Sequence, residues 1–214
     1  MEQLHEDLWV VKRPLRFFGL ELGCRMTVVR IGEDLLLHSP VAPDEGLLGE
    51  LDALGRVRWV LGPNRYHHLG LGPWVERGAE LFGVPALARH RKDLDFTMLT
   101  DSPWDGVDVL PLSCIPFTDE VVLLHRPSHT LIVTDLLFNL PESTGWWTKA
   151  NMWAMGGYPG VCCTVLERAL IQREPARQDF AQLLSWDFDR VVLGHGDVVE
   201  EGGREALAEA YSWL

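Results

Sequence analysis

The sequence predicts an α/β fold, and the order of its apolar segments is the main reason. Short aliphatic runs typical of buried strands alternate with segments whose leucines recur every three or four residues, as in amphipathic helices. An alternation of this kind favours a sheet with helices packed on its faces. No Gly/Ser-rich or Pro-rich linker interrupts the 214 residues, so we expect one domain spanning residues 1–214.

The first half of the chain predicts a β-hairpin followed by a strand–helix–strand unit. Gly32-Glu33 separates two apolar runs, which is typical of a tight hairpin turn. Pro73 is expected to open a helix, because proline is well tolerated in the first helical turn. The expected elements are strands at 26–31 and 34–38, a helix at 44–54, a strand at 57–62, a helix from 73 to about 82 and a strand at 84–88.

The second half predicts a second hairpin and three further helices. Pro111 places the first of these strands at a sheet edge, since proline cannot donate to a central ladder. Residues 141–163 are rich in tryptophan and glycine, and we expect an irregular cover there, buried in the core or against a second copy in a homodimer. The expected elements are strands at 107–112, 120–125 and 129–134, helices at 162–171 and 175–185, a strand at 190–193 and a helix at 203–214.

Three of the predicted strands end in residues that bind metals. Strand 57–62 leads to His67 and His68, strand 129–134 to Asp135, and strand 190–193 to His195. Adjacent histidines in a turn can face the same volume, unlike those in a strand or helix. We therefore expect these four side chains to meet at one sheet edge. Three imidazoles and a carboxylate suit one Zn²⁺, and Fe²⁺ or Mn²⁺ less well.

Helix capping and solvent exposure are the alternative roles of these residues. Asp135 could cap a helix beginning at Leu136, and His67 could cap the next helix or lie exposed. Arg65, beside the histidines, could hold a substrate carboxylate or phosphate through two hydrogen bonds, or lie in solvent.

Composition excludes some partners. The net charge of −12 argues against nucleic acids and anionic membrane surfaces as main partners, because both need a basic face. No apolar run reaches the roughly 18 residues of a membrane span. The first residues are acidic, unlike a secretory signal, and the four cysteines lack CxxC spacing. We expect a cytoplasmic protein with reduced thiols.

The strand ends at Tyr66-His67-His68-Leu69-Gly70, Thr134-Asp135 and Gly194-His195-Gly196 resemble the metallo-β-lactamase superfamily. In that family one strand leads into a His-x-His-x-Asp-His motif, a later one ends in an aspartate that bridges two metals, and the last ends in Gly-His-Gly. The resemblance implies a four-layer αββα sandwich of two mixed sheets flanked by helices, with a metal site at one edge of the packed sheets.

The sequence also departs from the family pattern. When His68 is aligned with the last histidine of the motif, His67 stands at its aspartate, and Arg65 and Pro63 at its first two histidines. The family's middle histidine has no counterpart between strands 107–112 and 120–125. The resemblance therefore implies a divergent branch of unknown function with at most one metal, held by His67, His68, Asp135 and His195.

Two functions of different class follow from this pattern. The first is a metal-dependent hydrolase whose ion acidifies water for attack on an ester, thioester or amide-type bond of a small molecule. The alternative is a metal-free pseudoenzyme of the same fold that binds a small ligand or a protein partner. A purely structural or dimerising domain is a third possibility. The substrate and the general base are not identified by the sequence.

Overall fold

Two β-sheets pack face to face, and helices cover the outer face of each sheet. The computed structural model describes residues 1–214. Its strands are β1 (Glu2–His5), β2 (Leu8–Arg13), β3 (Arg16–Phe17), β4 (Leu20–Glu21), β5 (Cys24–Ile31), β6 (Asp34–His38), β7 (Arg56–Gly62), β8 (Glu80–Gly83), β9 (Thr97–Met98), β10 (Val107–Pro111), β11 (Val121–His125), β12 (Thr130–Ile132), β13 (Phe138–Asn139), β14 (Arg190–Val192) and β15 (His195–Gly196). Its helices are α1 (Glu45–Asp52), α2 (Leu71–Val75), α3 (Pro85–His90), α4 (Trp146–Ala154), α5 (Val165–Leu170), α6 (Arg173–Ser185) and α7 (Gly203–Ala210).

The larger sheet has seven strands in the order β1-β2-β5-β6-β7-β8-β9, and the smaller has four in the order β10-β11-β12-β14. Both predicted hairpins are confirmed, as the antiparallel pairs β5–β6 and β11–β12. Strands β6 to β9 run parallel to one another, and β12 runs parallel to β14. The parallel β12 and β14 end side by side, which brings the residues after each strand close together.

Side chains of the smaller sheet alternate between two cores, as expected for a sheet that is buried on both faces. Leu123 and Ile132 pack between the sheets, in a cluster that also contains Leu51 of α1. Leu124 packs in a second cluster with Phe180 of α6. The layers are therefore helices α1 to α3, the larger sheet, the smaller sheet, and helices α6 and α7, which confirms the predicted αββα sandwich.

Two predicted elements between residues 73 and 88 are wrong. The expected long helix is only the short α2, because Gly78, with φ of 89°, turns the chain out of it. The apolar residues that follow form strand β8. The expected strand at 84–88 is helix α3, in which Pro85 occupies the first helical turn. Short apolar runs do not distinguish strand from helix, which explains both errors.

The tryptophan-rich segment is also different from the prediction. Residues 146–154 form the regular helix α4, in which Thr148 and Met152 are buried. Trp146, Trp147 and Trp153 are 76%, 55% and 69% exposed, so they do not belong to the core. That this surface packs against a second copy stays a prediction.

None of the helices combines the length and the apolar character needed to cross a membrane.

Candidate metal centre

His67, Asp135 and His195 form a compact group of three metal-binding side chains. One ligand atom from each lies within 4.8 Å of the others. The Oδ1 atom of Asp135 lies 3.2 Å from His195 Nε2 and 3.5 Å from His67 Nε2. The two imidazole side chains are 6% and 7% exposed, and the carboxylate is 20% exposed. The group is thus largely buried, with Asp135 as its most accessible member.

A buried asparagine shapes the turn that carries His67. Asn64 follows β7 and is fully buried. Its Oδ1 accepts hydrogen bonds from the backbone N–H groups of Tyr66 at 2.9 Å and His67 at 3.1 Å. An Asn side chain that bonds the backbone two residues on is a known turn-forming device. The turn directs His67 inward, where its Nδ1 lies 2.6 Å from the hydroxyl oxygen of Ser39.

His195 is fixed by its second ring nitrogen. Its Nδ1 lies 2.6 Å from the carbonyl oxygen of Gly23, which only accepts, so Nδ1 carries the hydrogen. The Nε2 atom of the neutral ring is then an electron-pair donor. The ring also stacks on Phe138, with 5.5 Å between centroids and 8° between planes. Orientation through the outer nitrogen is typical of histidines that bind metals.

The buried Arg25 holds the backbone on either side of His195. Its Nη1 donates to the carbonyl oxygen of Leu193 at 2.5 Å, and its Nη2 donates to that of Gly196 at 2.6 Å. A planar guanidinium with two fixed donors suits this bridging role. Arg25 therefore ties β5 to the segment that presents His195.

Asp135 is oriented by its own set of partners. Asn64 Nδ2 donates to Asp135 Oδ2 at 2.8 Å, which leaves Oδ1 to face the two imidazoles. The fully buried carboxylate of Glu120 accepts the backbone N–H of Asp135 at 3.0 Å and that of Thr134 at 2.7 Å. Glu120 thereby fixes the backbone at the end of β12.

The pKa shifts follow from burial and from these contacts. Burial alone would lower the pKa of His67, but the charge of Asp135 and its hydrogen bond outweigh burial and raise it. Burial opposes ionisation of Asp135 too, yet His67 and His195 hold the pKa of this carboxyl well below its usual range. Burial, and then the charge of Asp135, raise the pKa of Glu120. The pKa values of the two carboxyl groups are therefore shifted in opposite directions.

The three side chains fit a divalent cation. A neutral His195 would turn an Nε2 lone pair toward the Asp135 oxygen only 3.2 Å away, an arrangement that needs a positive charge. Either a proton on the imidazole or a metal ion supplies that charge. Two imidazole nitrogens and one carboxylate oxygen are ordinary ligands of zinc.

His68 and Arg65, the other predicted site residues, lie outside this group. The turn at Asn64 that points His67 inward points His68 the other way, toward His90, with 4.9 Å between ring centroids. Its Nδ1 lies 3.3 Å from Arg91 Nη1. Arg65 lies over the ring of Phe117, 4.7 Å from its centroid. The geometry therefore groups three candidate ligands where the sequence suggested four.

The capping roles considered for His67 and Asp135 are wrong. Residues after Asp135 lead into strand β13 rather than a helix. The residue before α2 is Gly70, and no side chain caps that helix. Both side chains are directed at each other instead.

Sequence reasoning missed Asn64, Glu120 and Arg25. Each is fully or almost fully buried, at 0%, 2% and 2% exposure. Glu120 directly precedes the apolar strand β11, and Asn64 directly follows β7 and Pro63. A polar residue within or beside a buried strand was the available signal, but each of the three also bonds a residue 14 or more positions away along the chain.

Solved structures of metallo-β-lactamases superpose on nearly the whole chain. An enzyme from Pontibacter korlensis gives a TM-score of 0.70 at 15% identity, covering 99% of this chain and 98% of that one. The mono-zinc form of FIM-1 from Pseudomonas aeruginosa gives 0.66 at 11% identity, with 99% and 94% covered. VMB-1 gives 0.68 at 13% identity, with 99% and 96% covered.

The chain has the metallo-β-lactamase fold.

This fold is the one that the sequence pattern indicated, although no protein-family model and no curated protein matches the sequence. Within the metallo-β-lactamase fold of this chain, a cleft of about 280 Å³ lies beside the segment that carries His195. Gly23, Gly194 and Gly196, which flank or contact His195, form part of its wall.

Proposed function

We propose that the protein is a metal-dependent hydrolase that holds one divalent ion through His67, Asp135 and His195. Zinc is the first choice, with iron or manganese as alternatives. The observation that carries the proposal is the shared Oδ1 of Asp135, which lies 3.5 Å and 3.2 Å from the two imidazole Nε2 atoms. The fold supports it, but a fold alone does not define an activity.

The number of ligands favours catalysis over a structural role. Catalytic zinc sites have three protein ligands and an open position, whereas structural sites have four. With His68 turned toward His90, three protein ligands remain here. A bound divalent ion would lower the pKa of a water molecule bound to it and would polarise a carbonyl oxygen of the substrate.

The residues of the chain hold these ligands in place. The Gly23 carbonyl fixes the His195 ring, and the Ser39 hydroxyl contacts the outer nitrogen of His67. Asn64 restrains the carboxylate of Asp135 through Oδ2. Such outer contacts commonly change metal affinity by about 10- to 100-fold. We propose ester, thioester or amide-type bonds of a small molecule in the cleft beside the His195 segment as the substrate class.

A metal-free ligand-binding protein is the second candidate. The observation that favours it is that Asp135 already lies within ion-pair distance of two histidines, so a protonated imidazole can balance its charge. In that case the cleft would bind its ligand without hydrolysis.

Metal analysis separates the two candidates. Protein purified without added metal and without a nickel-affinity step is analysed for zinc, iron and manganese, before and after incubation with zinc. We expect about one ion per chain, lost in His67→Ala and in His195→Ala. His68→Ala is the matched control, because this neighbouring histidine lies outside the group, and it is expected to keep its metal.

Ester and thioester substrates are then screened with the same variants. Hydrolysis by the wild type and His68→Ala, but not by the other two variants, would support the hydrolase. Near-zero metal with no zinc uptake would contradict it and favour the metal-free protein. Equal metal loss in His68→Ala would contradict the three-ligand assignment.

A further inference from the structure

A second cleft is lined by a different set of residues and has a different character. Its volume is about 340 Å³, and none of the three metal ligands lines it. Its wall combines two arginines and a histidine with small and aromatic side chains. The lining residues are Arg65, Ala86, Arg89, His90, Pro116 and Phe117.

Neither arginine of this second cleft has an acidic partner. In the cleft beside His195, Lys12 pairs with Asp197 at 3.1 Å and Arg13 pairs with Asp44 at 2.8 Å. The structure contains no ion pair of Arg65. The guanidinium charge of Arg65 is therefore not neutralised by a carboxylate in contact with it.

Arg89 likewise has no ion pair, and the carboxylates of Asp93 and Asp119 bind other groups. Arg91 donates two hydrogen bonds to the carboxylate of Asp93, of 2.8 and 2.6 Å. Asp119 contacts the cleft wall through its Oδ2, which accepts the backbone N–H of Ala86 at 2.9 Å. The carboxylates are therefore bound to other partners, and the two guanidinium groups lining the cleft keep their charge available.

The aromatic ring of Phe117 supports one of these charges. Arg65 lies 4.7 Å from the ring centroid, and its own backbone N–H is held by the carbonyl of Thr118 at 3.0 Å. Stacking on a ring restrains a guanidinium while leaving its edge N–H groups free for a bidentate contact. Phe117 is 47% exposed, and Tyr66 is 44% exposed beside it, with 6.4 Å between the two ring centroids.

We propose that this cleft binds the phosphate group of a small phosphorylated molecule that carries an aromatic or other flat apolar part. Two unpaired guanidinium groups and an imidazole suit a group of charge near −2 better than a single carboxylate. The exposed faces of Phe117 and Tyr66 suit the apolar part. None of the three candidate metal ligands lines this cleft, so the proposal does not rest on the hydrolase function.

Calorimetric titration at low ionic strength, in the presence of EDTA, tests this site without any contribution from bound metal. The probes are phenyl phosphate, inorganic phosphate and benzoate. We expect phenyl phosphate to bind with a Kd of about 1 mM or tighter, and benzoate to bind at least tenfold more weakly.

Variants then locate the binding site. Arg65→Gln and Arg89→Gln should each weaken phenyl phosphate binding about tenfold. Arg204→Gln, which removes an exposed arginine of α7 that also has no ion pair, is the matched control and should leave binding unchanged. Phe117→Leu should weaken binding of phenyl phosphate more than that of inorganic phosphate. Circular dichroism confirms that each variant is folded.

Three results would overturn the proposal. These are no phenyl phosphate binding by the wild type, binding that is unaffected by both Arg65→Gln and Arg89→Gln, and benzoate binding as tight as phenyl phosphate. Binding that disappears in His195→Ala but persists in the arginine variants would place the anion at the metal centre instead. The titrations contain EDTA, so each of these outcomes can be interpreted even if the hydrolase proposal is wrong.

Discussion

Replacing Asn64 with aspartate tests the buried polar network behind the metal centre. The fully buried amide nitrogen lies 2.8 Å from Asp135 Oδ2 and 3.2 Å from Glu120 Oε2. Asn64→Asp keeps the oxygen that accepts the two backbone N–H groups of the turn. It replaces a donor with a carboxylate oxygen, so a third carboxyl group faces two others.

The expected loss in the free energy of unfolding is worked out for the response that costs least free energy, which is protonation of the new carboxyl group. Keeping an aspartate neutral at pH 7, when its unfolded pKa is about 3.9, costs about 4 kcal/mol. At pH 5 the same cost is about 1.5 kcal/mol. The loss of one N–H donor adds about 1 kcal/mol at both pH values.

The sign of this pH dependence is fixed by the raised pKa of the new group in the folded state. Its destabilising effect is fully present above that folded pKa and disappears as pH falls toward the unfolded value. The variant should therefore lose about 5 kcal/mol relative to wild type at pH 7, and about half of that at pH 5.

Urea unfolding followed by tryptophan fluorescence measures these differences. EDTA is present throughout, because a bound cation would offset the added negative charge. The control is Asn151→Asp, which also loses an amide donor, to the carbonyl of Trp147, but at an exposed bond on α4. If the two variants are equally stable at pH 7, or if the loss for Asn64→Asp does not shrink at pH 5, the reasoning is refuted.

Three further predictions concern the supports of the site and the acid stability of the fold. Gly194→Ala should cost about 1–3 kcal/mol and weaken zinc binding, because its Cβ would lie 3.0 Å from His67 Cε1. Arg25→Lys should weaken zinc binding by about tenfold, because a single ammonium cannot reproduce the two bonds beside His195. Burial, and then the charge of His5, lower the pKa of His125 to about 4. The free energy of unfolding should therefore decrease as pH falls from about 6.5 to 4, by at most about 1.4 kcal/mol per pH unit. His125→Gln should flatten that slope.

Competition titration with a chromophoric zinc chelator measures the first two effects, and urea unfolding at several pH values measures the third. Gly49→Ala is the control for the glycine variant, because nothing lies within 4 Å of a Cβ built there. Unchanged zinc affinity in Gly194→Ala or Arg25→Lys would count against the assigned supports. An unchanged slope in His125→Gln would show that another group governs acid stability.

Local sequence patterns predicted most of the fold. Gly32-Glu33 between two apolar runs predicted the β5–β6 hairpin, and the leucine spacing predicted α1, whose first turn is capped by Asp44. The errors lie where apolar runs are short. Residues 80–82 were expected in a helix but belong to β8, and α3 was expected to be a strand, because periodicity needs more residues than these elements have.

The different positions of His67 and His68, which were both expected at the site, show what the sequence could not predict. Neighbouring histidines have the same chemistry, and a turn allows either one to face inward. Asn64 settles the choice through its bonds to the backbone N–H groups of the turn. Its amide nitrogen in turn bonds Thr134 and Asp135, about 70 residues further along the chain. No local pattern reveals a partner at that separation.

The sequence by itself determined the alternation of strands and helices, and with it three strand ends that carry metal-binding side chains. The pairing of β12 with β14 and the turn at Asn64 then decided which of those side chains meet. They also left Arg65 at a separate cleft. The physical reason is one of range. Hydrophobic periodicity is a property of residues that follow one another in the sequence. A ligand set instead requires side chains from distant segments, which buried partners orient within a few ångströms of one another.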